Sequence, residues 1–495
     1  MFNQTSIMNK FKFYGCLGIL AASFTFCACG DDDDNGKETE KNDVTWSTDG
    51  GIKACDHILF TADGDANVND NGRQIGNGDQ EFVFTGKQTI KKGTYILKGW
   101  VYIADGAELT IEPGTIIKGD KQTKASLIAE RGGKLIAQGT AQEPIVFTSE
   151  EAKGNRRPGD WGGVILCGKA VNNNTEMQIE GGPRTKHGGS DNSDNSGVLS
   201  YVRIEFAGYP FQTDQEINGL TLGSIGSGTK IDHVQVSYSN DDSYEWFGGT
   251  VDCKYLVAYR GEDDDLDTNT SQSNGFESDN NASGSTSSPF TSAVFSNVTF
   301  IGPKAVDASF QNNSDYINGG SVYPNNGSSL GRFQAAMHIR RNSHLNCFNS
   351  VAVGWPIGLI LDNEKGDTQG AATAGTLKLN NIWFAGMDVL GTDFNKIYED
   401  GLYDYETGTV DNTKNSFAHT FFELAANNNR HFDSADGWFD RTGYIPSADS
   451  PLIGAASFTE AILNGCTAVD YIGAFAAGDT WLDGWTNFDP QNADY

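Results

Sequence analysis

The chain has 495 residues, a formal charge of −30, and 60 glycines against 12 prolines, with 38% hydrophobic residues. Such acidity excludes nucleic acid and anionic membrane surfaces as electrostatic partners and leaves cations, neutral glycans or a basic partner. Few core formers and many turn formers point to a fold of many short strands.

Lys10 and Lys12 precede an apolar stretch from Phe13 to Phe26. That stretch is too short to span a bilayer as a stable helix and reads as the core of a secretory signal. It closes on Phe26-Cys27-Ala28-Cys29-Gly30, with Asp31 to Asp34 directly after. A small residue before a cysteine resembles a lipobox, with Cys29 as the lipid-bearing residue. The acidic run behind it resembles the export signal of Bacteroidota surface lipoproteins. The resemblance implies a signal peptide over 1–28 and a lipid anchor in the outer membrane, with the protein exposed at the cell surface. Residues 29–45 are then an acidic flexible tether.

Outside the signal and Cys29, five cysteines remain: Cys55, Cys167, Cys253, Cys347 and Cys466. The number is odd and no CxxC spacing suggests zinc. Cys167, Cys253 and Cys347 stand in strand-like runs and read as small buried hydrophobes. Residues 46–95 carry mixed strand signals and read as an N-terminal β cap. Within them, Asp63, Asp65 and Asn67 alternate like the start of a calcium loop. Val68 and Gln74 stand where that loop needs glycine and glutamate, so a polar turn is expected.

From Trp100 short apolar runs alternate with glycine turns, too short for helices and without a heptad pattern. Later strands share two alternating apolar positions: Val202/Ile204, Val234/Val236, Leu256/Ala258, Val298/Phe300, Val351/Val353 and Ile382/Phe384. Asn297, Asn349, Asn380 and Asn381 precede or open several of them, as hydrogen-bonded ladders at a repeated turn would require. The expected fold is all-β: a single-stranded right-handed parallel β-helix over 96–475, with a C-terminal capping tail over 476–495 that brings Trp481, Trp485 and Phe488 onto the last coil. The Ser/Asn/Gly-rich insertion Asn269 to Pro289, with Glu277 and Asp279, is expected as a loop walling a binding face.

Two acidic turns stand at a 22-residue offset, Ser239-Asn240-Asp241-Asp242-Ser243-Tyr244-Glu245 and Gly261-Glu262-Asp263-Asp264-Asp265-Leu266-Asp267. Val234 maps onto Leu256 and Val236 onto Ala258 at the same offset, which is one coil of a solenoid. Coils stack about 4.8 Å apart, so Asp241 should lie near Asp263, Asp242 near Asp264 and Glu245 near Asp267. Carboxylates this close repel unless a cation, protonation or water separates them. Asp241, Asp242, Asp263, Asp264, Asp265 and Asp267 are therefore candidate ligands for Ca2+, a hard cation that takes oxygen donors. A solvated stack of turns without metal is the alternative.

Gly159-Asp160-Trp161-Gly162-Gly163, Gly197 to Gly208, Asp241 to Gly249, Ser273 to Asn280 and His338-Ile-Arg-Arg-Asn342 together resemble a group of secreted or lipid-anchored Bacteroidota β-helix proteins. At the level of fold the chain is also similar to pectate lyases and polygalacturonases. That likeness implies a flat face able to take a polysaccharide, but fold does not transfer function. Two functions are compatible with these residues. The first is a non-enzymatic surface protein that binds a glycan or other nutrient, as an accessory to an outer-membrane importer. The second is a calcium-dependent polysaccharide lyase or glycoside hydrolase acting on an acidic polysaccharide, with Arg260, Arg340 or Arg341 as base. Lys186-His187-Gly188-Gly189 is the nearest approach to a hydrolase motif. Trp161, Trp246 and Trp355 are expected to pack against the solenoid or offer stacking platforms for sugars, and His233, His338 and His344 to be surface or hydrogen-bonded residues.

Overall fold

Runs such as Trp100–Ile103, Ser126–Ala129 and Gly163–Cys167 are only four or five residues long, so none can close a core alone. Stacking solves this. In the computed structural model these runs pair in parallel, so that Val101, Leu127, Val164, Leu220 and Tyr244 form one inward column. All five are buried. A second face carries the column Ile90, Ile111, Ala137, Leu199, Ile231 and Cys253. A third carries Tyr95, Ile117, Phe147, Ile204, Val236 and Ala258. The three faces enclose one continuous apolar core, which is a parallel β-helix. The structure describes residues 46–49, 52–55, 73–174, 177–179, 183–212, 215–262, 266–267, 273–307, 310, 333–395 and 399–495.

The long strand Gly197–Glu205 pairs with both Lys134–Gln138 and Ile145–Ser149, which joins the second and third faces into one bent sheet. The bend falls on a single residue per coil. Tyr201, His233 and Tyr255 take φ of 52°, 51° and 55° there, and farther along Asn297, Asn349 and Asn381 take 61°, 50° and 60°. Asparagine is the non-glycine residue that enters this left-handed region most readily, which explains the asparagines in front of the later strands. A second core follows, built on Phe276, Met337 and Leu359 from one face and Cys347, Leu379, Ala352 and Phe384 from the bent sheet. The 22-residue offset is the observed register, with Val234 opposite Leu256, Val236 opposite Ala258 and Glu245 opposite Asp267.

Three expectations need correction. The solenoid does not wait for residue 96: Arg73–Ile75, Phe82–Phe84, Lys87–Ile90 and Thr94–Leu97 already pair in register with the following coil. Their inward residues are as apolar as those of later coils. The insertion Asn269 to Pro289 is not all loop, because Phe276 fills the core and Phe276–Ser278 pairs with Met337–Ile339.

The third correction concerns the tail. Beyond the last strand, Arg430–Phe432, the chain runs back along the bend rather than over the last coil. Asn381 Nδ2 donates to Ala455 O (2.9 Å), Asn349 Nδ2 to Ser457 O (2.9 Å) and Asn297 Nδ2 to Tyr471 O (2.7 Å). Trp481 and Trp485 then meet the stacked rings of Tyr201, His233 and Tyr255. Farther on, Arg156 Nη1 donates to Pro490 O (2.6 Å) and Tyr495 Oη to Glu205 Oε1 (2.7 Å). The tail is a strap along one corner. The corner offers polar side chains in left-handed turns and a column of rings along which the tail lies.

Cys167 and Cys347 are buried, Cys253 is half-buried and Cys466 is exposed, all as free thiols. The side chain of Cys55, the Asp63 to Gly72 turn, Cys29 and the tether lie outside the described residues. Among the described residues no helix is long and apolar enough to cross a membrane.

Candidate functional site

Asp241 and Asp242 are not on an open face; they are 3% and 2% exposed. The turn dips under the neighbouring coil, where Gly219 N donates to Asp242 O (2.8 Å) and Asn240 N to Ala207 O (3.0 Å). Glu245, also buried, accepts from Asn218 Nδ2. Beside them the hydroxyls of Ser239 and Ser243 and Oδ1 of Asn218 are buried without a hydrogen-bond partner. Asp263, Asp264 and Asp265 lie outside the described residues, and of Asp267 only the strand and its pairing are described. Among the described residues no three His, Cys, Asp or Glu side chains are gathered closely enough to hold a metal ion.

A second polar site lies on the outer surface of the sheet that carries Phe276–Ser278, Ala335–Ile339 and Ile357–Leu361. Strand alternation puts Phe276, Met337 and Leu359 inside and Glu277 and His338 outside. His338 Nδ1 lies 3.1 Å from Glu277 Oε2, and its Nε2 lies 3.7 Å from Asp362 Oδ2. Arg340 pairs with Glu277 and, through Nε at 2.9 Å, with Asp279 Oδ1. Arg341 pairs with Asp279. Tyr405 Oη donates to Asp362 Oδ1 (2.9 Å), from a ring that is 39% exposed. With His338 protonated, three carboxylates face three cations, and the buried network is neutral.

Burial works against a charged His338, but the carboxylates of Asp362 and Glu277 outweigh it and raise its pKa. Burial raises Asp362, yet contact with His338 and hydrogen bonds to Glu364 N and Tyr405 bring it below the usual range. Asp279 is raised, chiefly by burial and then by Glu277, against the pull of its two arginines. A histidine with a raised folded pKa stabilises fully below its unfolded value of about 6.5, and that contribution disappears as pH rises through the folded value. Chemical denaturation should therefore show His338→Gln well below the parent at about pH 6, with the gap closing toward about pH 9. A gap independent of pH would contradict a charged His338.

Around this network Arg340, Arg341, Asp362, Glu364 and Lys365 line a small surface indentation, and Tyr405 donates to the Asp362 of that lining. Arg340 is nearly covered, whereas Lys365 and Glu364 are exposed and Arg341 is half-buried. The sequence named Arg340, Arg341, His338, Glu277 and Asp279 but did not join them, and it missed Asp362 and Tyr405. A signal was present, since the Ser273 to Asn280 and His338 to Asn342 motifs are hydrogen-bonded neighbours.

The other candidates have structural roles. Trp161 is fully buried, with Nε1 on Glu205 O (2.8 Å), and Trp355 is also buried; Trp246 packs against the first core. The Arg260 guanidinium lies over the rings of Tyr238 and Tyr259. His187 is buried against Ser224 Oγ (2.8 Å), and burial, followed by the charge of Arg131, lowers its pKa to about 4. His233 stacks in the corner column and His344 stacks on Phe290.

Coiled parallel strands, three inward columns and a ladder of left-handed turns define a β-solenoid. The family model for the pectate-lyase like beta helix domain matches residues 83–439, and the chain belongs to that family. No curated protein matches the chain. No solved structure matches it either. The strap beyond residue 439 lies outside the matched region.

Proposed function

We propose that this is a lipid-anchored cell-surface protein, tethered to the outer membrane through Cys29, that binds a glycan carrying uronate groups without cleaving it and passes it to an outer-membrane importer. One observation carries the reading: Arg341 and Lys365 line one indentation on the outer face of the β-helix, and Tyr405, 39% exposed, bonds the Asp362 that lines it too. A ring edge to stack on, cations for a carboxylate and acids to accept sugar hydroxyls are the parts a uronate subsite needs. The overall charge of −30 opposes an anionic ligand. At physiological salt, however, charges beyond about 8 Å are screened, so the local cations decide.

Calcium at Asp241, Asp242 and the Asp263 to Asp267 turn belongs to the same proposal. The partnerless oxygens of Ser239, Ser243 and Asn218 near Asp241, Asp242 and Glu245 suit a hard cation. The lyase alternative is less well supported. A guanidinium set between Glu277 and Asp279, as in Arg340, is held in its charged form, the opposite of what a base requires.

Incubation with neutral and uronate oligosaccharides, read by calorimetry and by ultraviolet absorbance of unsaturated products, tests the proposal. Uronates should bind, Tyr405→Ala should bind about tenfold more weakly, and no unsaturated product should form. Appearance of that product would replace the binding function with the lyase.

A further inference from the structure

The chain leaves the face of Val101 and Tyr244 at Gly249, lays the strand Cys253–Tyr259 on the bent sheet, and returns at Leu266–Asp267. It is then back in a strand at Phe276–Ser278, beside Leu266–Asp267, after too few residues to have made another circuit. Its next strands on the bent sheet are Val294–Ser296 and Thr299–Ile301. One rung of the bent sheet is therefore absent.

The strands on either side show the gap. Among the described residues Cys253–Tyr259 pairs on one side only, with Lys230–Ser237. Val294–Ser296 and Thr299–Ile301 likewise pair on one side only, with Asn346–Val353. Cys253, Leu256, Ala258, Phe295 and Val298, which the absent rung would cover, are half-buried, whereas Ile231, Val234 and Val236 one rung back are buried. Tyr255 and Val294, at the edges of the gap, are 49% and 40% exposed. Behind it the two cores meet through Trp246 and Phe295, edge-on at 6.4 Å.

Two facing rows of unpaired backbone N–H and C=O groups call for the matching row of an extended polypeptide, which a sugar chain does not carry. The flanking rungs dictate its sequence. Tyr255 and Asn297, at the bend on either side, have φ of 55° and 61°, so the residue between them is asparagine or glycine. Lys254 and Arg260 are exposed on the edge strand, and neither pairs with a carboxylate among the described residues, so acids complement them.

We propose that the gap is a docking site for an extended segment of a partner protein, which adds the absent rung by parallel strand pairing. The segment carries apolar residues opposite Cys253, Leu256 and Ala258, acidic residues opposite Lys254 and Arg260, and asparagine or glycine opposite Tyr255. The strap crosses the bend outside this rung, from Tyr471 at Asn297 to Trp481 at Tyr255, so the segment lies beneath it. The site is independent of the glycan subsite.

The test is fluorescence anisotropy of the labelled peptide Val-Glu-Asn-Val-Thr-Val-Thr-Glu titrated with the protein. One equivalent should bind. The same peptide N-methylated at alternate backbone nitrogens should bind at least about tenfold more weakly, because it cannot complete the pairing. Lys254→Glu, an exposed change that leaves the core intact, should weaken binding of the first peptide, and lysine in place of that peptide's first glutamate should restore it. Absence of binding, or equal binding of the N-methylated peptide, would overturn the proposal. A dimer of the protein alone that the peptide disperses would overturn it in favour of a second copy as the occupant.

Discussion

Trp485→Ala should destabilise the docked strap by about 3–5 kcal/mol, the range for deleting a buried tryptophan. Trp485 is fully buried although it belongs to a tail with no strand of its own. Its ring meets Tyr201 edge-on at 5.9 Å and His233 at 5.6 Å, and its Nε1 donates to Trp481 O at 2.7 Å. Removing it leaves a cavity against the ring column and separates the asparagine contacts of one half from the Arg156 and Glu205 contacts of the other. The strap should then open before the solenoid unfolds, so limited proteolysis should cut within 440–495 while the coils stay intact. Trp485→Phe should lose only about 1 kcal/mol, because the ring stays and one hydrogen bond goes. A protease pattern unchanged in the alanine variant would contradict the strap as a docked element.

Arg340→Met should cost about 3–5 kcal/mol of global stability, because one change leaves two buried carboxylates without their shared cation. Glu277 and Asp279 side chains are only 4% and 5% exposed, so water cannot take over. Burial already raises Asp279 even with both arginines present. In the variant Asp279 keeps only Arg341 and Glu277 only His338, so the deficit should shrink as pH falls and Asp279, already raised, protonates. Adding Asp279→Asn should restore part of the loss at neutral pH, a coupling that urea denaturation of the single and double variants measures. Simple additivity would mean that the two residues are not energetically paired.

Much of the fold was legible because a solenoid writes its period into the chain. Equal spacing of Val234/Val236 and Leu256/Ala258 reads directly as register. The asparagines before later strands likewise mark a turn that favours a left-handed residue. The buried network was not legible, because Glu277 and His338 are 61 residues apart and only the sheet makes them neighbours. The acidic turns show a different limit. Charge in a row suggested an open face, whereas glycines at 208 and 219 let the coils close over Asp241 and Asp242. The destination of the strap was hidden as well, since aromatic residues in a tail indicate that something is covered but not which surface.

The most direct test of the functional account is a calorimetric titration of a uronate oligosaccharide into the protein and its Arg341→Ala variant, in calcium and in chelator. Binding to the parent should weaken with salt and fall about tenfold in the variant. Equal affinity in both proteins, or no binding heat in either, would contradict a glycan site at this indentation.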